Sequence, residues 1–121
     1  MSRADLYALM RGSIAVVNPS LFEGWSTTVE EAKAIGAPLV LSDIAVHREQ
    51  AGGDAVYFEP HSATQAAAAL VQAIDQYSGN RDAGASARAQ ARNSERLKRY
   101  AGQVEDLIER LAAAHSRSKT A

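Results

Sequence analysis

Along this chain, short unbroken apolar runs alternate with stretches in which apolar residues recur every three or four positions. The runs are SIAVV (13–17), PLVL (38–41) and AVYF (55–58). Each is rich in β-branched, leucine or aromatic residues and stops at turn-forming positions: Asn18-Pro19-Ser20, Ser42-Asp43 and Glu59-Pro60. Each is therefore predicted to be a buried strand. The helical rhythm predicts a helix over Ala4–Met10, with Leu6, Leu9 and Met10 on one side and Gly12 as its stop. A second helix opens at Thr27-Thr28-Val29-Glu30-Glu31, where a hydroxyl cap faces an acid three residues on in two registers, Thr27 with Glu30 or Thr28 with Glu31. It carries Val29, Ala32 and Ile35 inward and ends at Gly36.

Val46–Ala51 supplies one further turn. A longer helix starts at Ser62 or Thr64 and runs to Tyr77, its apolar side formed by Ala66, Ala67, Leu70, Val71, Ile74 and Tyr77. Ser78-Gly79-Asn80 breaks it. Asp82–Ala114 is again helical, with an interruption expected near Asn93-Ser94 and the last seven residues expected to fray. Leu97, Tyr100, Val104, Leu107, Ile108 and Leu111 give that segment a continuous apolar stripe. Strands that alternate with helices, and that are apolar throughout, predict an α/β fold: a parallel sheet with helices on both faces, followed by C-terminal helices. Three short strands make a small sheet, and one of its edges is expected to lack a neighbour.

Composition narrows the partners. The net charge of −1 gives no reason to expect nucleic acid, but the charge is unevenly spread. Residues 1–80 carry 4 basic and 9 acidic side chains, and residues 81–121 carry 9 and 5. The basic end is most simply a solvated helix face, and it leaves open a weak contact with a membrane surface. The absence of cysteine excludes disulfide and thiolate chemistry. No apolar run approaches a membrane span, and the N-terminus lacks the apolar core of a signal peptide. A cytoplasmic location is expected, peripheral to the membrane at most.

In an open parallel sheet, ligands bind beyond the carboxyl ends of the strands. Beyond the first strand lies a small-residue loop that runs into a helix N-terminus, Asn18 to Glu31. Unpaired amides and the positive end of the helix dipole would favour a phosphate at about Ser26–Val29. Gly24 lets the backbone approach a ligand, and Thr27 and Thr28 add hydroxyls. Glu31 suits a vicinal diol such as a ribose, and Glu23 could reach a sugar hydroxyl. Simpler roles stand beside these: Glu30 and Glu31 as dipole-complementing acids, Thr27 and Thr28 as caps, and Trp25 as a core anchor or a ligand shelf.

The stretch VNPSLFEGWSTTVEEAKAIGAPLVLSD closely resembles the signature of GT-B glycosyltransferases of glycosyltransferase family 4. The matching positions are Pro19-Ser20, Glu23-Gly24-Trp25, Glu31-Ala32 and Gly36-Ala37-Pro38, and DIAVHREQAGGDAVYFEP looks like the continuation. The specific part covers about residues 13–60. The resemblance implies the C-terminal, Rossmann-like half of a retaining enzyme. Residues 1–80 would form the nucleotide-sugar-binding portion and 81–121 a C-terminal helical segment. Glu23 would be the catalytic residue that orients the donor sugar, Glu31 would hold the ribose, and Gly24, Trp25, Ser26, Thr27 and Thr28 would contact sugar and diphosphate. The donor is a nucleotide-diphosphate sugar. No cofactor and no metal are implied, and His47, His61 and His115 are expected at the surface.

The chain departs from the family where many members have Gly-Leu-Pro and it has Ser26-Thr27-Thr28. The basic residues that clamp the diphosphate, like the N-terminal acceptor domain, would lie outside it, and Arg3 and Arg11 are not in a matching context. The chain is accordingly expected to be inactive by itself. The alternative is a non-catalytic nucleotide-sugar-binding module.

Overall fold

The computed structural model describes residues 1–78 and 84–120. The chain divides into two compact units, Met1–Gln90 and Ala91–Ala121. In the first, α1 (Arg3–Gly12), β1 (Val16–Asn18), α2 (Thr27–Ile35), β2 (Leu39–Ser42), α3 (Ala45–Ala51), β3 (Ala55–Phe58) and α4 (Ala63–Tyr77) follow one another. α5 spans Ala85–Lys119. The fold is the predicted α/β arrangement, consistent with part of a Rossmann-like domain.

The three strands pair in parallel in the order β1-β2-β3. The register sets Val16 beside Leu39, Asn18 beside Leu41 and Ser42 beside Phe58. Side chains of a strand alternate between faces, and the core divides accordingly. On one face Leu39 and Leu41 pack with Val29 and Ala32 of α2 and Ala51 of α3, flanked by Val16, Ala55 and Tyr57. On the other, Val40, Val56 and Phe58 meet Ala69 and Ala73 of α4. Burying each of the two leucines contributes about 1.5–3 kcal/mol.

Local chemistry sets the helix limits. Ser2 caps α1, and its hydroxyl and amide form a reciprocal pair with Asp5. Neither threonine caps α2. Ser26 does, accepting from the Val29 amide at 3.3 Å. Ser62 caps α4 through Gln65. Gly36 ends α2 in the left-handed region, at φ 73°, and its amide returns to the carbonyls of Ala32 and Lys33. An alanine there takes on the left-handed penalty. Gly36→Ala should lower stability by about 1–2 kcal/mol, read as a lower urea midpoint with an unchanged slope.

Several boundaries and faces differ from expectation. β1 begins at Val16 instead of Ser13, because Ser13 closes α1 with its amide on the Leu9 carbonyl. It extends through Asn18, and β2 through Ser42. Leu9 is exposed while Met10 is buried. α4 turns its alanines to the sheet, leaving Leu70, Val71 and Ile74 in solvent. α5 runs without interruption through Asn93 and Ser94 and continues to Lys119, so the expected break and most of the fraying are absent. Leu97, Tyr100, Val104, Leu107, Ile108 and Leu111 are exposed along it. The break expected at Gly79-Asn80 and the helix start at Asp82 lie outside the described residues.

Candidate active site

The last residues of β1 and β2 are polar and buried, an arrangement that requires partners. Asn18, at the end of β1, donates from Nδ2 to Glu23 Oε1 at 2.8 Å and to Ser26 Oγ at 3.0 Å. Its Oδ1 accepts from the Ser20 amide, an Asx-type turn that folds the loop back over the strand end. The Ser20 hydroxyl completes the grip on Glu23 Oε1 at 2.6 Å. One side chain of β1 therefore positions both Glu23 and the cap of α2.

These contacts hold the Glu23 carboxyl below its usual range. The Ser20 hydroxyl contributes most, burial opposes it, and Asn18, Ser26 and the charge of His47 add to the lowering. A carboxyl lowered in the folded state contributes stability above its ordinary value of 4.5, and that contribution is lost as pH falls through the lowered value. Asp43, held down by Arg48, and Asp5, held down by Ser2, act with the same sign. The urea midpoint should therefore decline as pH falls below about 4.5, and Glu23→Gln should make that decline shallower.

The α2 N-terminus is braced from α3. Gln50 is buried. Its Oε1 accepts from the Ser26 amide at 3.1 Å, and its Nε2 donates to the Ser26 carbonyl at 2.9 Å and to Glu30 at 3.1 Å. Lys33 bonds the Gln50 carbonyl and lies 3.5 Å from Glu30. The Ser26 and Val29 amides are thus committed within the protein. Among the described residues, no protein group accepts from the amides of Thr27 and Thr28. The anion-binding capacity of this helix end is concentrated in those two donors.

Glu31 belongs to a different set of contacts. It faces α1 and accepts from the Arg3 guanidinium at 3.3 Å, while Arg3 also donates to the Tyr7 hydroxyl at 3.1 Å. Arg3 is mostly exposed, so the pair is a weak surface contact that a ligand can replace. Neither Glu23 nor Glu31 is buried among apolar groups. Trp25 is 54% exposed and Phe22 87%, so Trp25 is no core anchor. A Cβ built on Gly24 would meet nothing within 4 Å, so no described neighbour requires glycine there.

His47 corrects a further expectation. It is fully buried, not at the surface, with Nδ1 2.8 Å from the Ser42 carbonyl and Nε2 3.9 Å from Glu23 Oε2. Ser42 in turn donates its hydroxyl to the Ser20 carbonyl at 2.5 Å. His61 and His115 are exposed. Asn18, Ser20, Ser42, His47 and Gln50 were given no role in the site from the sequence. The available signal was the spacing of His47, Gln50 and Ala51, which puts both polar residues on the inward face of α3.

The family model for glycosyl transferases group 1 matches residues 1–94. The chain belongs to that family. Sugar transfer from a donor to an acceptor is the reaction this membership assigns, and the matched segment contains every residue of the site just described. No curated protein and no solved structure matches this group 1 glycosyltransferase significantly. Among its described residues no three His, Asp or Glu side chains gather as a metal site, and no helix is long and apolar enough to cross a membrane.

Proposed function

We propose that the chain is the donor-binding, C-terminal half of a retaining GT-B glycosyltransferase of family 4, acting on a nucleotide-diphosphate sugar. The observation that carries this reading is the placement of Glu23. Asn18 and Ser20 fix its carboxylate at the carboxyl end of β1, directly ahead of a helix end with two unused amides. Glu23 orients the donor sugar and faces the charge that develops at its anomeric region. The amides of Thr27 and Thr28 meet the diphosphate, which gains negative charge as the glycosidic bond breaks, so fixed dipoles there favour the transition state. Gly24 and Trp25 line the sugar side. Ser26 serves through the cap it makes, its backbone being held by Gln50. Glu31 exchanges Arg3 for the ribose hydroxyls.

The reading calls for no metal or cofactor. It assigns residues 1–80 to the donor and gives 81–121, with their apolar stripe, to an acceptor-binding half. Without that half and its basic clamp, donor affinity is expected to be weak, because a diphosphate held only by neutral amides lacks its charged partners.

The test is a ligand-detected binding screen of uridine, guanosine and adenosine diphosphate hexoses against the wild-type chain and Glu31→Ala. Weak binding of at least one donor, lost in Glu31→Ala, is the expected outcome. Binding that survives Glu31→Ala would remove that residue from the site. Sugar transfer by the chain alone would overturn the incomplete-enzyme reading.

A further inference from the structure

His47 Nε2 is buried and has no hydrogen-bond partner among the described residues, and it points at the carboxylate on which the proposed chemistry depends. The ring's orientation settles half of its protonation. Nδ1 is 2.8 Å from the Ser42 carbonyl oxygen, which can only accept, so Nδ1 carries a hydrogen. The Ser42 hydroxyl, 3.2 Å away, gives its own hydrogen to the Ser20 carbonyl and so adds a second acceptor at Nδ1. What remains is Nε2 opposite Glu23 Oε2. Glu23 Oε1 is already occupied by Ser20 and Asn18, which leaves Oε2 as the oxygen that faces the ring.

If Nε2 were bare, two acceptors would face each other and the Nε2 lone pair would stay buried and unmet. A hydrogen on Nε2 instead gives an imidazolium–carboxylate pair, and the two acceptors on the Nδ1 side satisfy its other end. The remaining charged or titratable groups around His47 do not compete for that hydrogen. Tyr57 of β3 donates to the His47 backbone carbonyl, and Arg48, the next residue in α3, is paired with Asp43.

We infer that His47 is a positioning residue for Glu23. It carries a second ring proton aimed at Oε2 and so holds the carboxylate ionised and in one orientation for the donor. The clause about the donor rests on the function proposed above; the proton on Nε2 does not.

The closing experiment separates the two. In the 15N-labelled full-length chain near neutral pH, both ring nitrogens of His47 should resonate as protonated nitrogens. In Glu23→Gln, Nε2 should move to the range of a bare ring nitrogen while Nδ1 stays protonated. A bare Nε2 in the wild type, or an Nε2 indifferent to Glu23→Gln, overturns the inference whatever the chain binds. The same uridine, guanosine and adenosine diphosphate hexoses then test the positioning role. His47→Leu should weaken binding roughly tenfold, within the range for residues coupled in one network. His47→Gln, which keeps an N–H donor at that position, should recover most of the loss. In the Glu23→Gln background His47→Leu should add nothing further, whereas a loss that persists there marks a merely structural residue and overturns the role. Failure of every donor to bind the wild type counts against the proposed function, and the ring signals still decide the protonation of the pair.

Discussion

Gln50→Met will destabilise the chain by about 2 kcal/mol, although it preserves side-chain volume and lies outside the glutamate signature. The glutamine amide meets both polar groups of the Ser26 peptide, one bond in each direction, and reaches Glu30 with its second hydrogen. Methionine fills the same space and satisfies none of them. The Ser26 amide is then left buried without its partner, while the Ser26 carbonyl keeps the Glu30 amide, and an unmet buried group costs about 1–3 kcal/mol. Urea unfolding reads the loss as a lower midpoint, and an unchanged slope would show that no gross rearrangement accompanies it. A change below about 0.5 kcal/mol, the range of ordinary surface substitutions, would mean that Gln50 does not brace α2.

Thr27→Pro will weaken donor binding about tenfold and leave stability essentially intact. Thr27 is the first residue of α2, the one helical position where proline is favoured, and its amide has no partner to lose. Ser26, which would precede the proline, already has the extended backbone that a following proline demands, at φ −91° and ψ 107°. The substitution therefore deletes one of two free donors at the helix end without disturbing its cap. A hydrogen bond to a charged group contributes about 1.5–3 kcal/mol, which is tenfold or more in affinity. Calorimetric or ligand-detected titration with the donor found in the screen reads the effect. Unchanged affinity in a folded Thr27→Pro chain would take the diphosphate away from this helix end.

The fold was legible because its strands are continuous apolar runs closed by turn residues. β3 has the predicted limits, since Glu59-Pro60 leaves it no way to continue. Of the candidate site, the loop after β1 and the α2 N-terminus stood out by their residues, and the structure sets Glu23 beside that helix end while Glu31 contacts Arg3. What stayed hidden depends on which of several competent groups wins a contact. Two threonines with acids three residues on look like better caps than Ser26, yet Ser26 is the residue that Asn18 and Gln50 lock in place. A periodic count of large side chains selects Leu70, Val71 and Ile74 as the inner face of α4. Close packing on β2 and β3 selects the alanines instead, a choice that the periodicity of a single helix cannot express. His47 was missed because its burial is set by partners on two other segments, the end of β2 and the loop after β1, and a titratable residue is by default solvated.

The alanine face of α4 makes the two layers over the sheet unequal in strength. Val29, Leu39, Leu41 and Ala51 knit α2 and α3 to the strands on one side, while α4 fully buries only the methyl groups of Ala69 and Ala73 on the other, with Ala66 and Tyr77 partly buried beside them. Fewer buried carbons mean a smaller free energy of local opening. α4 can therefore detach as a cooperative piece while the strand ends and their carboxylate remain assembled, and its amides will exchange with solvent hydrogen sooner than those of β2.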